Sequence, residues 1–260
     1  MTARQRIRRG VRIAGFGGLT ATMLPAFLAR EALTPAASRG PLRERWVGTW
    51  CSGVLGLFGV EVLRSGPLPA PGRGHLVVAN HRSTADVLAL LRAFGGLMVS
   101  RADLARWPLL GLGARAVGTL FVDRADAHSG ATVVRMIRSR LVEGATVIVF
   151  PEGTTFPDDD VRPFHAGAFA AALRSGADVI PVGLAYSRGS GAQFVNESFG
   201  AHLARMAAAT PSKVAMCVGA AIAVADGAKA APLRDLAHAE VQRLVHEARR
   251  VVDSPSLHAT

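Results

Sequence analysis

The chain has 260 residues, half of them hydrophobic and 19% charged, which allows one substantial core and argues against an intrinsically disordered protein. Its 30 Lys and Arg outnumber its 19 Asp and Glu, a formal charge of +11, so the partner surface should be negative: nucleic acid or anionic lipid. A 6% aromatic content with a single Tyr, and the lack of a zinc-type cysteine cluster or recognition-helix signature, argue against nucleic acid and favour lipid.

Arg4, Arg6, Arg8, Arg9 and Arg12 precede an uncharged stretch at 13–29, and Arg43 and Arg45 precede a second at 46–60. As a helix the first would reach about 25 Å, short of the ~30 Å hydrocarbon core. Gly15, Gly17, Gly18 and Pro25 interrupt it. These features predict an N-terminal membrane-associated helical segment over 1–65, as a hairpin dipping into one leaflet or one marginal span. The arginines would sit at a cytoplasmic, anionic face. Buried helices of a soluble domain, or a cleaved signal peptide ending near 35–38, are weaker readings. Cys51 and Cys217 lie far apart in apolar contexts and read as buried free thiols rather than a metal site or a disulfide framework.

Gly66, Pro67, Pro69, Pro71, Gly72 and Gly74 make 66–74 a stretch that regular structure tolerates poorly. It reads as a hinge to an α/β domain over 75–260. In that domain the predicted elements run in order: strand 75–80, helix 84–94, strands 97–100 and 119–122, helix 131–142, strand 146–150, helix 166–174, strand 179–185, helix 197–208, strand 214–222 and helix 233–252. Such alternation predicts an α/β fold with a mixed or largely parallel sheet flanked by helices. Reactive side chains then belong in loops beyond strand ends.

Two loops carry chemistry. In the first, Asn80-His81-Arg82-Ser83-Thr84-Ala85-Asp86, a turn into the next helix can fold Asp86 back beside His81. A carboxylate on one ring nitrogen fixes the tautomer, and the other nitrogen can then take a proton from a substrate hydroxyl. By spacing alone the pair reads more readily as a structural contact. Ser83 lacks the flanking glycines of a nucleophile elbow and reads as a helix cap. The second loop, Phe150-Pro151-Glu152-Gly153-Thr154-Thr155, leaves the clearest strand. Gly153 permits a tight turn whose N–H groups could hold a phosphate or polar headgroup, though a plain surface turn fits as well. Glu152 is out of place in an anion site unless a cation pairs with it or it fixes the loop. Asp158, Asp159 and Asp160 read as solvated carboxylates rather than a metal site.

Together, Asn80-His81-x-x-x-x-Asp86, Gly118-Thr-Leu-Phe-Val-Asp-Arg124, Phe150-Pro-Glu-Gly-Thr154 and Ile180-Pro181-Val182 resemble, in order, the blocks of glycerophospholipid acyltransferases, which include the lysophosphatidic acid acyltransferases. Ser100-Arg101 and Trp107-Pro108 between them also look like the family, which commonly has Lys where Arg101 stands. The resemblance spans about 75–185. It implies an acyltransferase domain behind membrane-embedded helices, using no metal or organic cofactor. The acyl-donor partner would be acyl-CoA or acyl carrier protein, and the acceptor a membrane lysophospholipid. It further implies His81 as general base and Asp86 as its orienting partner. Arg124 would contact the acceptor phosphate, with Glu152, Gly153 and Thr154 shaping the acceptor site. A guanidinium suits a phosphate because it offers two parallel hydrogen bonds.

Two departures bear on the acceptor. Thr155 stands where the family often has Arg, and His165, in Phe164-His165-Ala166-Gly167-Ala168-Phe169, stands where it has Lys. The first expectation is transfer to 1-acyl-sn-glycerol-3-phosphate. The second keeps the chemistry but changes the acceptor to another lysolipid, such as a lyso-ornithine lipid. The third is a non-catalytic basic membrane-binding protein. The expected location is a bacterial inner or plasma membrane with the catalytic domain facing the cytoplasm.

Overall fold

The computed structural model describes residues 1–70, 73–107, 110–122, 129–225 and 227–254. It begins with two helices, α1 (Ala3–Ala32) and α2 (Ala36–Phe58). Both begin well before the uncharged stretches at 13–29 and 46–60, because the arginines ahead of those stretches are helical too. The helices pair through Trp50 Nε1, which donates to Thr20 Oγ1 at 3.1 Å, and through the ion pair Arg43–Glu31 at 2.5 Å. By length and composition α1 could cross a membrane.

The alternating part runs β1 (Val60–Ser65), β2 (His75–Ala79), α3 (Thr84–Phe94), β3 (Leu97–Arg101), a 3-10 turn (Ala102–Arg106), α4 (Leu110–Ala116), β4 (Leu120–Val122), α5 (Ser129–Val142), β5 (Thr146–Val149), α6 (Gly167–Ser175), β6 (Asp178–Tyr186), α7 (Phe199–Ala208), β7 (Ser212–Val218) and α8 (Ala230–Asp253). The strands form one seven-stranded sheet in the order β1-β7-β6-β2-β5-β3-β4. Every pairing is parallel except β6 with β7, so the expected α/β class with a mixed, largely parallel sheet is the one found.

Successive strand residues point to opposite faces. Val77, Ile148, Ile180 and Leu184 join the core beneath α2 and α3. Leu76, Val78, Val147 and Val179 meet Ile137 of α5, Phe169 of α6 and Val241 of α8 on the other face. Full burial of one such side chain contributes ~1.5–3 kcal/mol. At Gly183 the backbone of α8 rests on β6: a Cβ there would lie 2.2 Å from the Leu244 carbonyl carbon, a contact only glycine permits.

The division at residue 65 needs correction. Val60–Ser65 is not the tail of the N-terminal segment but an edge strand, paired with β7 from Val60↔Ser212 to Ser65↔Cys217. Its Glu61 and Arg64 are exposed, and it follows the apolar run of α2 directly, so neither periodicity stands out. The Gly/Pro stretch at 66–74 therefore joins two strands of one sheet rather than an anchor to a separate domain.

Candidate active site

β2 lies between β6 and β5, and the carboxyl ends of these three strands supply the reactive loops, as parallel sheets generally arrange. Asn80 closes β2. Its amide donates to Leu184 O at 2.9 Å and accepts from Leu184 N–H at 2.8 Å, standing in for one more rung of the ladder. The next residue, His81, is thereby delivered at a fixed point above the sheet.

Nδ1 of His81 lies 2.9 Å from Asp86 Oδ2. The imidazole is stacked on Phe150, with centroids 3.9 Å apart and planes 10° from parallel. Its side chain is 19% exposed whereas that of Asp86 is 0% exposed, so the ring can meet a substrate and the carboxylate cannot. Asp86 also accepts from the backbone N–H of Arg82 at 2.6 Å and of Ser83 at 2.7 Å. Its other oxygen accepts from the Tyr186 hydroxyl at 2.5 Å. Ser83 is the N-cap of α3, its Oγ accepting from Ala85 N–H, the role expected of it. With Asp86 beside Nδ1, the neutral tautomer carries its proton there and leaves the Nε2 lone pair free.

The second loop reaches the same place. Gly153, at φ +81°, closes a turn whose N–H donates to Phe150 O at 3.1 Å, and Phe156 N–H donates to His81 O at 3.1 Å. Thr154 is exposed on that turn, Thr155 half-buried and His165 exposed. Glu152 faces the other way. Its side chain is 0% exposed and pairs with Arg82, itself 1% exposed, at 2.9 Å. Oε1 also accepts from His81 N–H at 2.8 Å, and Oε2 from Arg162 N–H at 2.9 Å. Arg82 Nη1 donates to His81 O at 2.8 Å, and Nη2 to Asp160 O at 3.0 Å. Glu152 therefore braces the two loops against each other and spends both oxygens doing so, whereas Gly153 is half-buried and Thr154 exposed on the turn. Arg124 lies outside the described residues.

Two of the three aspartates are spent elsewhere. Asp159 holds Arg249 of α8 through two bonds at 2.7 and 3.0 Å, and Asp158 pairs with Arg162 at 2.6 Å. On the opposite flank, Phe194 N–H donates to Arg82 O at 2.8 Å and its ring stacks on His202, 3.7 Å between centroids. His202 is fully buried. Burial pushes its pKa down to about 4 despite a bond to Glu197 that opposes the shift. Further along α7, Met206 Sδ lies 3.4 Å from Thr84 Oγ1. The end of α7 is held by α1: Arg12 donates to Ala209 O at 2.7 Å and Arg8 to the same oxygen at 2.9 Å. Two cations at a helix C-terminus offset its unsatisfied carbonyls and dipole.

An apolar cavity of about 280 Å3 opens among α1, α2, α3, α4 and α7, lined by Phe16, Trp50, Leu88, Leu104, Phe199 and Leu203 among others. Thr84 and Ala85, which follow His81 at the start of α3, belong to its wall. Its size and lining suit a flexible hydrocarbon chain.

Sequence reasoning missed Arg82 and Tyr186. The need of Glu152 for a cation was the signal that could have found Arg82. Tyr186 gave none, being one hundred residues from Asp86 in sequence.

A family model described as Acyltransferase matches residues 59–185. A Pseudomonas aeruginosa protein named lyso-ornithine lipid O-acyltransferase is 37% identical over 190 residues, covering 70% of each chain. A Neisseria meningitidis protein named 1-acyl-sn-glycerol-3-phosphate acyltransferase is 29% identical, over 60% of this chain and 62% of its own. The fold matches the crystal structure of the 1-acyl-sn-glycerophosphate acyltransferase of Thermotoga maritima, with a TM-score of 0.76 at 22% identity, covering 94% of this chain and 98% of that one. The ordered motifs, the relatives and the sheet agree, and the chain belongs to the glycerophospholipid acyltransferases, enzymes that acylate lysolipids.

Proposed function

We propose that His81 is the general base and Asp86 its positioning partner in transfer of an acyl chain from a thioester to the free hydroxyl of a lysolipid. The observation that carries the reading is one histidine, partly exposed, held through Nδ1 by a fully buried carboxylate. Nε2 takes the proton as the acceptor oxygen attacks the thioester carbonyl. The C–O bond forms, the C–S bond breaks, and the imidazolium returns its proton to the departing thiolate. Base assistance of this kind contributes ~10²–10⁴ in rate. Acyl-CoA or acyl carrier protein supplies the thioester, and the apolar cavity beside α3 houses an acyl chain.

The acceptor that fits best is a lyso-ornithine lipid, the substrate named for the Pseudomonas aeruginosa relative. A phosphomonoester carries a charge of about −1.5 to −2 at pH 7 and wants fixed cations around it. Thr155 and His165 supply no fixed cation, Arg82 is buried against Glu152, and Arg162 is paired with Asp158. An ornithine headgroup, with one carboxylate and one ammonium, makes no such demand. The second reading, 1-acyl-sn-glycerol-3-phosphate, is favoured by Arg124 in the block Gly118–Arg124 and by the Neisseria relative.

The site works at a bacterial inner or plasma membrane, facing the cytoplasm. Between Arg8 and Arg12 at the end of α7 and Leu24 near Gly113 of α4, α1 runs along the domain. That path supports immersion in one leaflet rather than a span leaving the domain behind. Release of the full-length chain by carbonate washing would refute the membrane assignment.

The test is thioester consumption by the membrane-bound protein with a panel of lysolipids and both donors. Turnover should require a lysolipid, and His81→Ala should abolish it while the protein stays folded. Full activity in that variant sinks the mechanism, and preference for the phosphomonoester overturns the acceptor assignment.

A further inference from the structure

We infer that Tyr186 is a positioning residue for the acyl transfer: its hydroxyl, bonded to Asp86, sets how firmly that carboxylate holds His81 and hence the pH at which the base becomes free. The inference rests on the acyl-transfer reading above.

Tyr186 is the last residue of β6, and its ring lies in the core beneath α2 and α3. Phenol and carboxylate are both fully buried, and the 2.5 Å O–H···O contact has the length of a charge-assisted bond. Burial first, and then the neighbouring Asp86 charge, push the phenol well above its usual range, so the hydroxyl stays a donor. The backbone fixes it too, because Arg249 Nη1 donates to Tyr186 O at 2.7 Å.

Charged and titratable groups reach this pocket from every side. The first loop contributes Arg82, and the second contributes Glu152, Asp159, Asp160 and Arg162. Arg249 comes from α8, bonded to Asp159, and His202 and Arg205 come from α7 with Glu197. Among these, Arg82 is paired with Glu152, Arg249 with Asp159, Arg205 with Glu197 and Arg162 with Asp158.

The direction follows from competition for one carboxylate. Oδ2 faces Nδ1 of His81 while Oδ1 faces the phenol. A stronger donor on Oδ1 draws charge away from Oδ2 and makes the imidazolium less favourable; a lost donor does the reverse.

Tyr186 is the only tyrosine in the chain, so replacing tyrosine globally with 3-fluorotyrosine alters this position alone. Fluorine makes the phenol a stronger donor with little change of shape, and Tyr186→Phe removes the donor. Both full-length, membrane-bound proteins are assayed for the pH dependence of kcat/KM for the lysolipid. In Tyr186→Phe the acid limb should move upward by on the order of half a pH unit. In the fluorotyrosine protein it should move downward. An unmoved limb in both, or shifts of the same sign, overturns the inference. Should Tyr186→Phe fail to fold, the fluorotyrosine protein decides alone, and an unmoved or raised limb there overturns it. Inactivity of His81→Ala combined with unmoved limbs sinks only the role of Tyr186, whereas an active His81→Ala sinks the base assignment itself.

Discussion

Replacing Glu152 with Gln separates bracing from acceptor binding. The substitution keeps the shape but leaves the Arg82 guanidinium, 1% exposed, without its counter-charge. Breaking a buried pair from one side costs ~3–5 kcal/mol, a large part of a typical stability of ~5–15 kcal/mol. The Nε of Arg82 already lacks a partner among the described residues, so the stranded cation has little to turn to. The same change weakens the 2.8 Å bond that fixes His81 N–H. A shift of about 1 Å in a reacting group can reduce turnover ~10²-fold. Urea unfolding followed by tryptophan fluorescence should show a lower midpoint with an unchanged slope, and thioester release should show the loss in kcat. Replacing Arg82 and Glu152 together by Met should restore much of the stability without restoring activity, because the N–H groups of His81 and Arg162 remain unaccepted. Wild-type stability in Glu152→Gln, with only a raised acceptor KM, would refute this reasoning and return Glu152 to the acceptor site.

Two further outcomes are expected. His202 has a folded pKa depressed to about 4 from 6.5, so the unfolded chain takes up the proton first. Its contribution is therefore whole above pH 6.5 and is lost as the pH falls toward 4, by up to about 3 kcal/mol. His202→Gln should flatten that part of the stability curve, and parallel losses in both proteins between pH 7 and pH 4.5 would refute the assignment. Leu88→Trp, on the cavity wall, should shift donor preference toward shorter acyl chains in a series of acyl-CoA thioesters; an unchanged preference would show that the acyl chain lies elsewhere.

Legibility in the sequence tracked the range over which each feature is decided. The His81–Asp86 contact is local: it spans five residues across a loop and a capped first turn. Most elements from 75 onward were readable because two-sided burial gives continuous apolar strands between amphipathic helices; the seven-residue α4 and the 3-10 turn before it were not, being too short to show a period. Val60–Ser65 was not, since a half-exposed edge strand lacks both patterns. The inward turn of Arg82 depends on Glu152, seventy residues away, and the hold of Tyr186 on Asp86 depends on the neighbourship of β6 and β2. Composition correctly suggested a cationic N-terminus but could not tell which arginines look outward.

That distinction alters the strength of lipid adhesion. Of Arg4, Arg6, Arg8, Arg9 and Arg12, the buried Arg12 and the half-buried Arg8 are consumed by the carbonyls at the tail of α7, which leaves the exposed Arg4, Arg6 and Arg9 to face headgroups. At ~1 kcal/mol for each basic residue near an anionic leaflet, the electrostatic grip of this helix amounts to three residues' worth rather than five, so its salt sensitivity should be correspondingly shallow.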